Sequence, residues 1–464
     1  MQRVLVTISF SFSIRYIVRT GLLQQLRSFC EPVVAITWNQ EDLIAELRAQ
    51  GFEVHIVPEH KREPVYNDVR RKIDIWFNKF RLKSPSQKIQ QDYLDQYISF
   101  KPKLLRKIRE WYNIFKLYFP FYKRQLFKKE EKLLHAATNF NQISDFVDSL
   151  NIDAVFTVTP FHKQEDLLLR ACKNKRKKML TSILSFDNIT IRGWIPVAYD
   201  VYMVWNEHNR QQLRRIYPYT KNKPVHVTGA AQFDFYFNNK FLLSFEEWKA
   251  ITGINSLSGR KIILYAGGPS SLFPDEPYYL KEIDEAINAG AIIGKPLVLF
   301  RCHPIDKIER WKQVIGDSEN IIFDNSWTGM RVLGYSNVTE FDIKKLCSTL
   351  NYTDLHINLC STMTVDGSAF EKPQIGPAYI KNKSKESCLL ERMYWQEHFV
   401  PIMKTKGLWL ARSTDELMIL INKALENERV RDEKNKEILK SVITFGDGKN
   451  TERVAEVIKG FLIE

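Results

Sequence analysis

Cysteine is scarce and unclustered: Cys30, Cys172, Cys302, Cys347, Cys360 and Cys388 are scattered through 464 residues, and no two form a Cys-x-x-Cys pair. Neither a disulfide framework nor a zinc site is indicated, and a reducing, cytoplasmic setting is expected. Glycine (19) and proline (18) are too few for a fibrous or low-complexity chain. Long apolar runs are also missing, none approaching the roughly 18 consecutive residues of a membrane span. The apolar opening is interrupted by Arg3, Arg15 and Arg19 and is followed by no small-residue cleavage pattern. It reads as a first strand and helix instead of a signal peptide. No Asp-x-Asp occurs, and no cluster of metal ligands is apparent. Acidic residues are outnumbered, 54 against 68 Lys and Arg, which gives a net charge of +14. Such a surplus favours anionic partners: nucleic acid, phosphorylated substrates or an acidic membrane face.

What is present is a globular composition, 44% hydrophobic and 26% charged, of a length that suggests two or three domains. The positive excess is local. Residues 101–132 hold eleven Lys and Arg against three Glu, a surplus of eight. Within them Leu104, Ile108, Trp111, Phe115, Tyr118, Tyr122 and Leu126 recur at helical steps of three and four, with Pro120 placed to kink or divide the helix. Two readings stand: a basic, aromatic helix lying in a membrane interface, or an ordinary helix burying its aromatic face. Nucleic acid is not expected, because no nucleic-acid-binding signature accompanies the charge.

Elsewhere short apolar strands alternate with helices. Residues 4–8, 33–37, 54–57, 154–158, 181–184 and 225–228 read as buried strands of one doubly wound α/β domain reaching to about residue 240. The alternation restarts at about 258, with strands at 262–265, 297–300, 321–323 and 355–358, and runs to 464, where a last helix is placed to return to domain one. Two such domains facing an interdomain cleft would bind ligands at the carboxyl ends of their strands.

Two strand ends carry candidate chemistry. Arg301-Cys302-His303-Pro304 puts a cation and an imidazole where the chain must turn. After residues 355–358 come Ser361 and Thr362 at a helix start, which offers amides to a diphosphate, and then Asp366, read either as a ribose ligand or as a first-turn acid complementing the helix dipole. This pattern resembles the donor half of GT-B glycosyltransferases and their relatives, the teichoic-acid glycerophosphotransferases and the UDP-N-acetylglucosamine 2-epimerases. The departure is Glu371, where those relatives usually carry Gly before Lys-Pro. Ser185-Phe186-Asp187-Asn188, Trp205-Asn206 and Val227-Thr228-Gly229 are similar to elements of a bacterial surface-polysaccharide group of that fold.

The resemblance implies a cytoplasmic glycosyltransferase, peripheral at the inner face of the membrane. It would move a sugar from a nucleotide donor to a glycan or lipid-linked acceptor, with no cofactor and no metal. Arg301, His303, Ser361, Thr362 and Asp366 would bind the donor. Asp187 is the first candidate for the acceptor base and His162 the second; each also reads as a turn or helix-start residue. A glycerol-phosphate or polyol-phosphate transferase, or a scaffold without catalysis, would use the same fold.

Overall fold

A computed structural model describes residues 1–327, 335–380, 387–426 and 433–463, so the side chain of Cys388 lies outside the described residues. The chain divides into two units, one of Met1–Lys88, Leu94–Ala231 and Thr451–Glu464, the other of Ile89–Tyr93 and Gln232–Asn450.

The first unit is built on seven parallel strands: β1 (Arg3–Ile8), β2 (Glu31–Ile36), β3 (Glu53–Ile56), β4 (Ala154–Thr157), β5 (Lys178–Ser182), β6 (Val201–Val204) and β7 (Val225–Val227), in the order β3-β2-β1-β4-β5-β6-β7. The order reverses between β1 and β4, the position at which sheets of this kind bind ligands at the carboxyl ends of their strands. Continuous apolar runs suit strands covered on both faces, and Val4 and Val6 point to one core while Leu5 points to the other. Val454, Ala455, Ile458 and Leu462 of the last helix, Asn450–Ile463, complete the first of these cores. Residues 101–132 form two helices, Phe100–Leu117 and Pro120–Ala136, with Pro120 at the first turn of the second, where its missing N–H costs nothing.

The second unit has six parallel strands: β8 (Ile262–Ala266), β9 (Leu297–Cys302), β10 (Ile321–Asn325), β11 (Leu355–Asn358), β12 (Gln374–Pro377) and β13 (Leu408–Ala411), ordered β10-β9-β8-β11-β12-β13. Its reversal lies between β8 and β11. The segment between the two sheets belongs to the second unit from Gln232 onward. Trp248, on the helix Phe245–Thr252, packs with Ile262, Leu297 and Leu299, and that burial draws the chain from Gln232 onward into the second unit.

Candidate functional site

Register places the donor candidates. Ala266 of β8 pairs with Arg301 of β9 on one side and Asn358 of β11 on the other, so the three strands end level, about 5 Å apart in turn. The turns Gly267-Gly268, Cys302-His303 and Leu359-Cys360-Ser361 therefore leave the sheet side by side at its carboxyl edge.

His303 is half-buried there, and burial first, then the Arg301 charge, pushes its imidazole down to about 4. The ring is neutral at pH 7. The Ile305 amide donates to Nδ1 at 3.2 Å, so the remaining proton sits on Nε2 as a hydrogen-bond donor. Ser361 is half-buried and Thr362 exposed. Their loop is held by Asn358, whose Oδ1 accepts from the Ser361 amide at 3.2 Å and from Thr364 Oγ1 at 2.9 Å, while Ser361 Oγ accepts from the Met363 amide at 3.2 Å. Two of the amides expected to meet a diphosphate are thus already occupied. The helix that follows, Met363–Ser368, is only six residues long.

Arg301 and Asp366 are more deeply placed than the motif suggests. Arg301 is buried, donates from Nη2 to the Ser326 carbonyl at 3.0 Å and lies 3.8 Å from Asp324 on the neighbouring strand. Lys345 pairs with the same carboxylate. Burial raises Asp324 against the pull of both cations. Asp366 is buried too and accepts the hydroxyl of Tyr236, whose ring packs edge-on against Phe370.

The largest unanticipated feature of this edge is Glu276. Its Oε2 accepts the Gly268 amide at 2.8 Å, and burial pushes the carboxyl up to about 8, so it is protonated at neutral pH. A Cβ at Gly268 would run into Phe273 and Glu276 itself, which explains the glycine. Gly267-Gly268-Pro269 directly after a strand is the sequence signal that marks this turn.

In the first unit Asp187 is half-buried at the start of the short helix Asn188–Ile191, and its Oδ1 accepts from Asn188 Nδ2 at 3.0 Å. His162 stacks on Phe10 at 5.3 Å and is pushed down to about 4, by burial first and by Arg192 and His60 after it. Its Nδ1 is buried with no hydrogen-bond partner among the described residues. One turn further on, Glu165 is fully buried and raised by burial, with Thr157 and Thr159 donating to its two oxygens at 2.5 and 2.6 Å. Asp187 follows β5 and His162 follows β4, adjacent strands of one sheet. Among the described residues no group of three His, Cys, Asp or Glu side chains is arranged to hold a metal ion.

The sequence matches no protein-family model and no curated protein. Its fold is that of several solved enzymes. MnaA of S. aureus, solved with UDP, superposes with a TM-score of 0.57 at 10% identity, over 100% of this chain and 97% of that one. UDP-GlcNAc 2-epimerase from Neisseria meningitidis, bound to UDP-GlcNAc, gives 0.54 at 10% identity, over 98% and 99%. A glycosyltransferase from Rickettsia africae gives 0.51 at 12% identity, over 99% and 98%. With two parallel, doubly wound α/β units matched over essentially their whole length, the chain has the GT-B fold.

Proposed function

We propose that this protein is a metal-independent glycosyltransferase, moving a sugar from a nucleotide-activated donor to a glycan or lipid-linked acceptor in surface-polysaccharide synthesis at the cytoplasmic face of a membrane. The observation that carries the reading is the level ending of β8, β9 and β11, which gathers His303, Ser361 and Thr362 at one carboxyl edge. Solved structures of the same fold include enzymes with UDP or UDP-GlcNAc bound.

Transfer of a glycosyl group breaks the bond to the nucleotide diphosphate, and charge develops on the departing oxygen. Fixed donors aimed at that oxygen lower the barrier. The Nε2–H of His303 and the Ser361 and Thr362 hydroxyls are the donors assigned to this task, with the Arg301 guanidinium behind them. Asp366, held by Tyr236, is assigned to the ribose. Asp187 is assigned as the base that takes the acceptor proton. His162 ranks second, since an imidazole held near 4 gains little from accepting a proton at pH 7.

The test is thermal stabilisation by a panel of nucleotide sugars and CDP-glycerol, followed by turnover of whichever ligand binds. A nucleotide sugar should raise the melting temperature, and His303→Ala should weaken its binding about ten- to a hundredfold, the worth of a hydrogen bond to a charged group. Asp187→Ala should retain the shift and lose at least about a hundredfold in rate. Stabilisation by CDP-glycerol alone would transfer the site to polyol-phosphate chemistry. Binding without turnover in any variant would leave a scaffold.

A further inference from the structure

The helix Phe100–Leu117 is packed inside out. The face it turns to the rest of the first unit carries Asn113 and Leu117, and Arg106, which reaches back to the buried Asp95 at 2.5 Å. Leu117 alone joins an apolar cluster there, with Val69, Ile73 and Leu126. The opposite face holds Leu105, Ile108, Trp111, Tyr112 and Phe115 in the open, Trp111 exposed by 66%, while Tyr118 just past the helix end sets its ring edge-on against Phe80. At about 100° per residue these side chains cover somewhat under half of the helix circumference. Phe121, at the start of the next helix, is 72% exposed and extends the patch. Monomeric proteins rarely leave a contiguous apolar surface of this kind in water.

Charge decides what covers it. Lys107 borders the stripe on one side and Arg109 and Lys116 on the other, by the same helical spacing. The neighbouring helix, Pro120–Ala136, adds a groove with Lys123, Arg124, Lys128 and Lys173 along it. A second copy would bring an identical surplus of eight positive charges against this one, whereas an anionic bilayer neutralises it and receives the aromatic rings. No helix among the described residues is long and apolar enough to cross a membrane, so the pair would lie in the interface.

We propose that Phe100–Leu117 and the start of Pro120–Ala136 form a docking surface for an anionic lipid bilayer, with the rings of Trp111 and Phe115 inserted among the headgroups. The inference deepens the membrane part of the reading above, and it rests on that reading for its place in the cell.

The full chain is tested by co-sedimentation with phosphatidylcholine vesicles, with and without about 30% phosphatidylglycerol, in low and high salt. Binding to the anionic vesicles should exceed binding to the neutral ones at least tenfold and should weaken as salt rises, because screening acts over roughly 8–10 Å. The double variant Trp111→Ser, Phe115→Ser should lose at least about tenfold in vesicle binding while its melting temperature and its stabilisation by nucleotide sugar stay unchanged. Equal binding to both vesicle types overturns the proposal. So does a dimer, seen by sedimentation, that the double variant dissociates. Failure to bind vesicles with nucleotide stabilisation intact removes the docking surface and leaves the transferase reading standing; the reverse pattern removes the transferase reading alone.

Discussion

At the scale of single residues, two backbone positions in the second unit, Cys360 after β11 and Glu371 before β12, are bent against their residue type. Cys360 has φ 43° and Glu371 φ 55°, both in the left-handed region that L side chains avoid at a cost of roughly 1–2 kcal/mol. At Glu371 the chain makes a left-handed turn without a glycine. Glu371→Gly should therefore stabilise the protein by about 0.5–1 kcal/mol, the relief of strain less the extra chain entropy of glycine, read as a raised urea midpoint with an unchanged slope. A loss of stability would mean that the ion pair to Lys436 at 3.2 Å outweighs the strain. The same scale shows what the sequence could and could not convey about the site. That His303, Ser361 and Thr362 lie near strand ends is legible, because His303 directly follows β9 and Ser361 and Thr362 come three and four positions after β11. The settings of Arg301 and Asp366 are not, because their partners Asp324 and Tyr236 lie 23 and 130 positions away in the chain, and no local pattern joins them.

At the scale of elements, strands with continuous apolar runs were read within a residue or two, and β5 began three residues earlier than expected, at Lys178. β12 and β13 went unseen. Gln374-Ile375-Gly376-Pro377 looks like a turn, yet Gly376 is there because a Cβ would strike the Tyr394 ring, and Pro377 can end the strand. The aromatic helix was legible as a helix, while the direction its stripe faces was not, because periodicity fixes a face and says nothing about what lies opposite it. What anchors the second basic helix, Pro120–Ala136, is a buried ion cluster. Glu130 on Pro120–Ala136 lies 2.9 Å from Arg170 and 3.4 Å from Arg70, and it accepts the Tyr66 hydroxyl at 3.0 Å. Asp166 shares Arg170, at 2.8 Å, and Arg62, at 3.3 Å. Both guanidiniums of Arg70 and Arg170 also lie over the Trp194 ring. Glu130→Gln should cost about 3–5 kcal/mol, since it leaves buried cations short of a partner, and should speed proteolysis within residues 101–132. For Asp166, burial opposes ionisation but the three arginines prevail and hold it down to about 2. A folded value below the unfolded one means that its contribution is complete above about pH 4 and is lost as pH falls toward 2.

At the scale of the whole molecule, buried ionisable groups pull stability in opposite directions with pH. His60, His162 and His303 are held down to about 4 and His356 to about 3, each chiefly by burial. Their folded values lie below the unfolded 6.5, so what they contribute is present above that pH and is lost as pH falls toward 4. Asp74, Glu165, Asp324 and Glu276 are raised by burial, and for them the sign reverses: their contribution is present below the unfolded carboxylate range and is lost as pH rises through the folded value. The two sets oppose one another between about pH 4.5 and 6.5. Above 6.5 the histidines are neutral in both states and no longer matter, whereas Glu276, pushed up to about 8, still must give up its proton inside the core. Its share of the slope is about 1.4 kcal/mol per pH unit until it ionises. The melting temperature should therefore peak near pH 6–7 and decline toward pH 8.5. Glu276→Gln, which keeps an oxygen for the Gly268 amide and cannot ionise, should remove most of that decline, as read from melting curves of both proteins across pH 6–9. An alkaline slope identical in the variant would show that Glu276 is already ionised at pH 7, and the carboxyl behind the Gly267-Gly268 turn would then have to be treated as a negative charge beside the carboxyl ends of β8, β9 and β11.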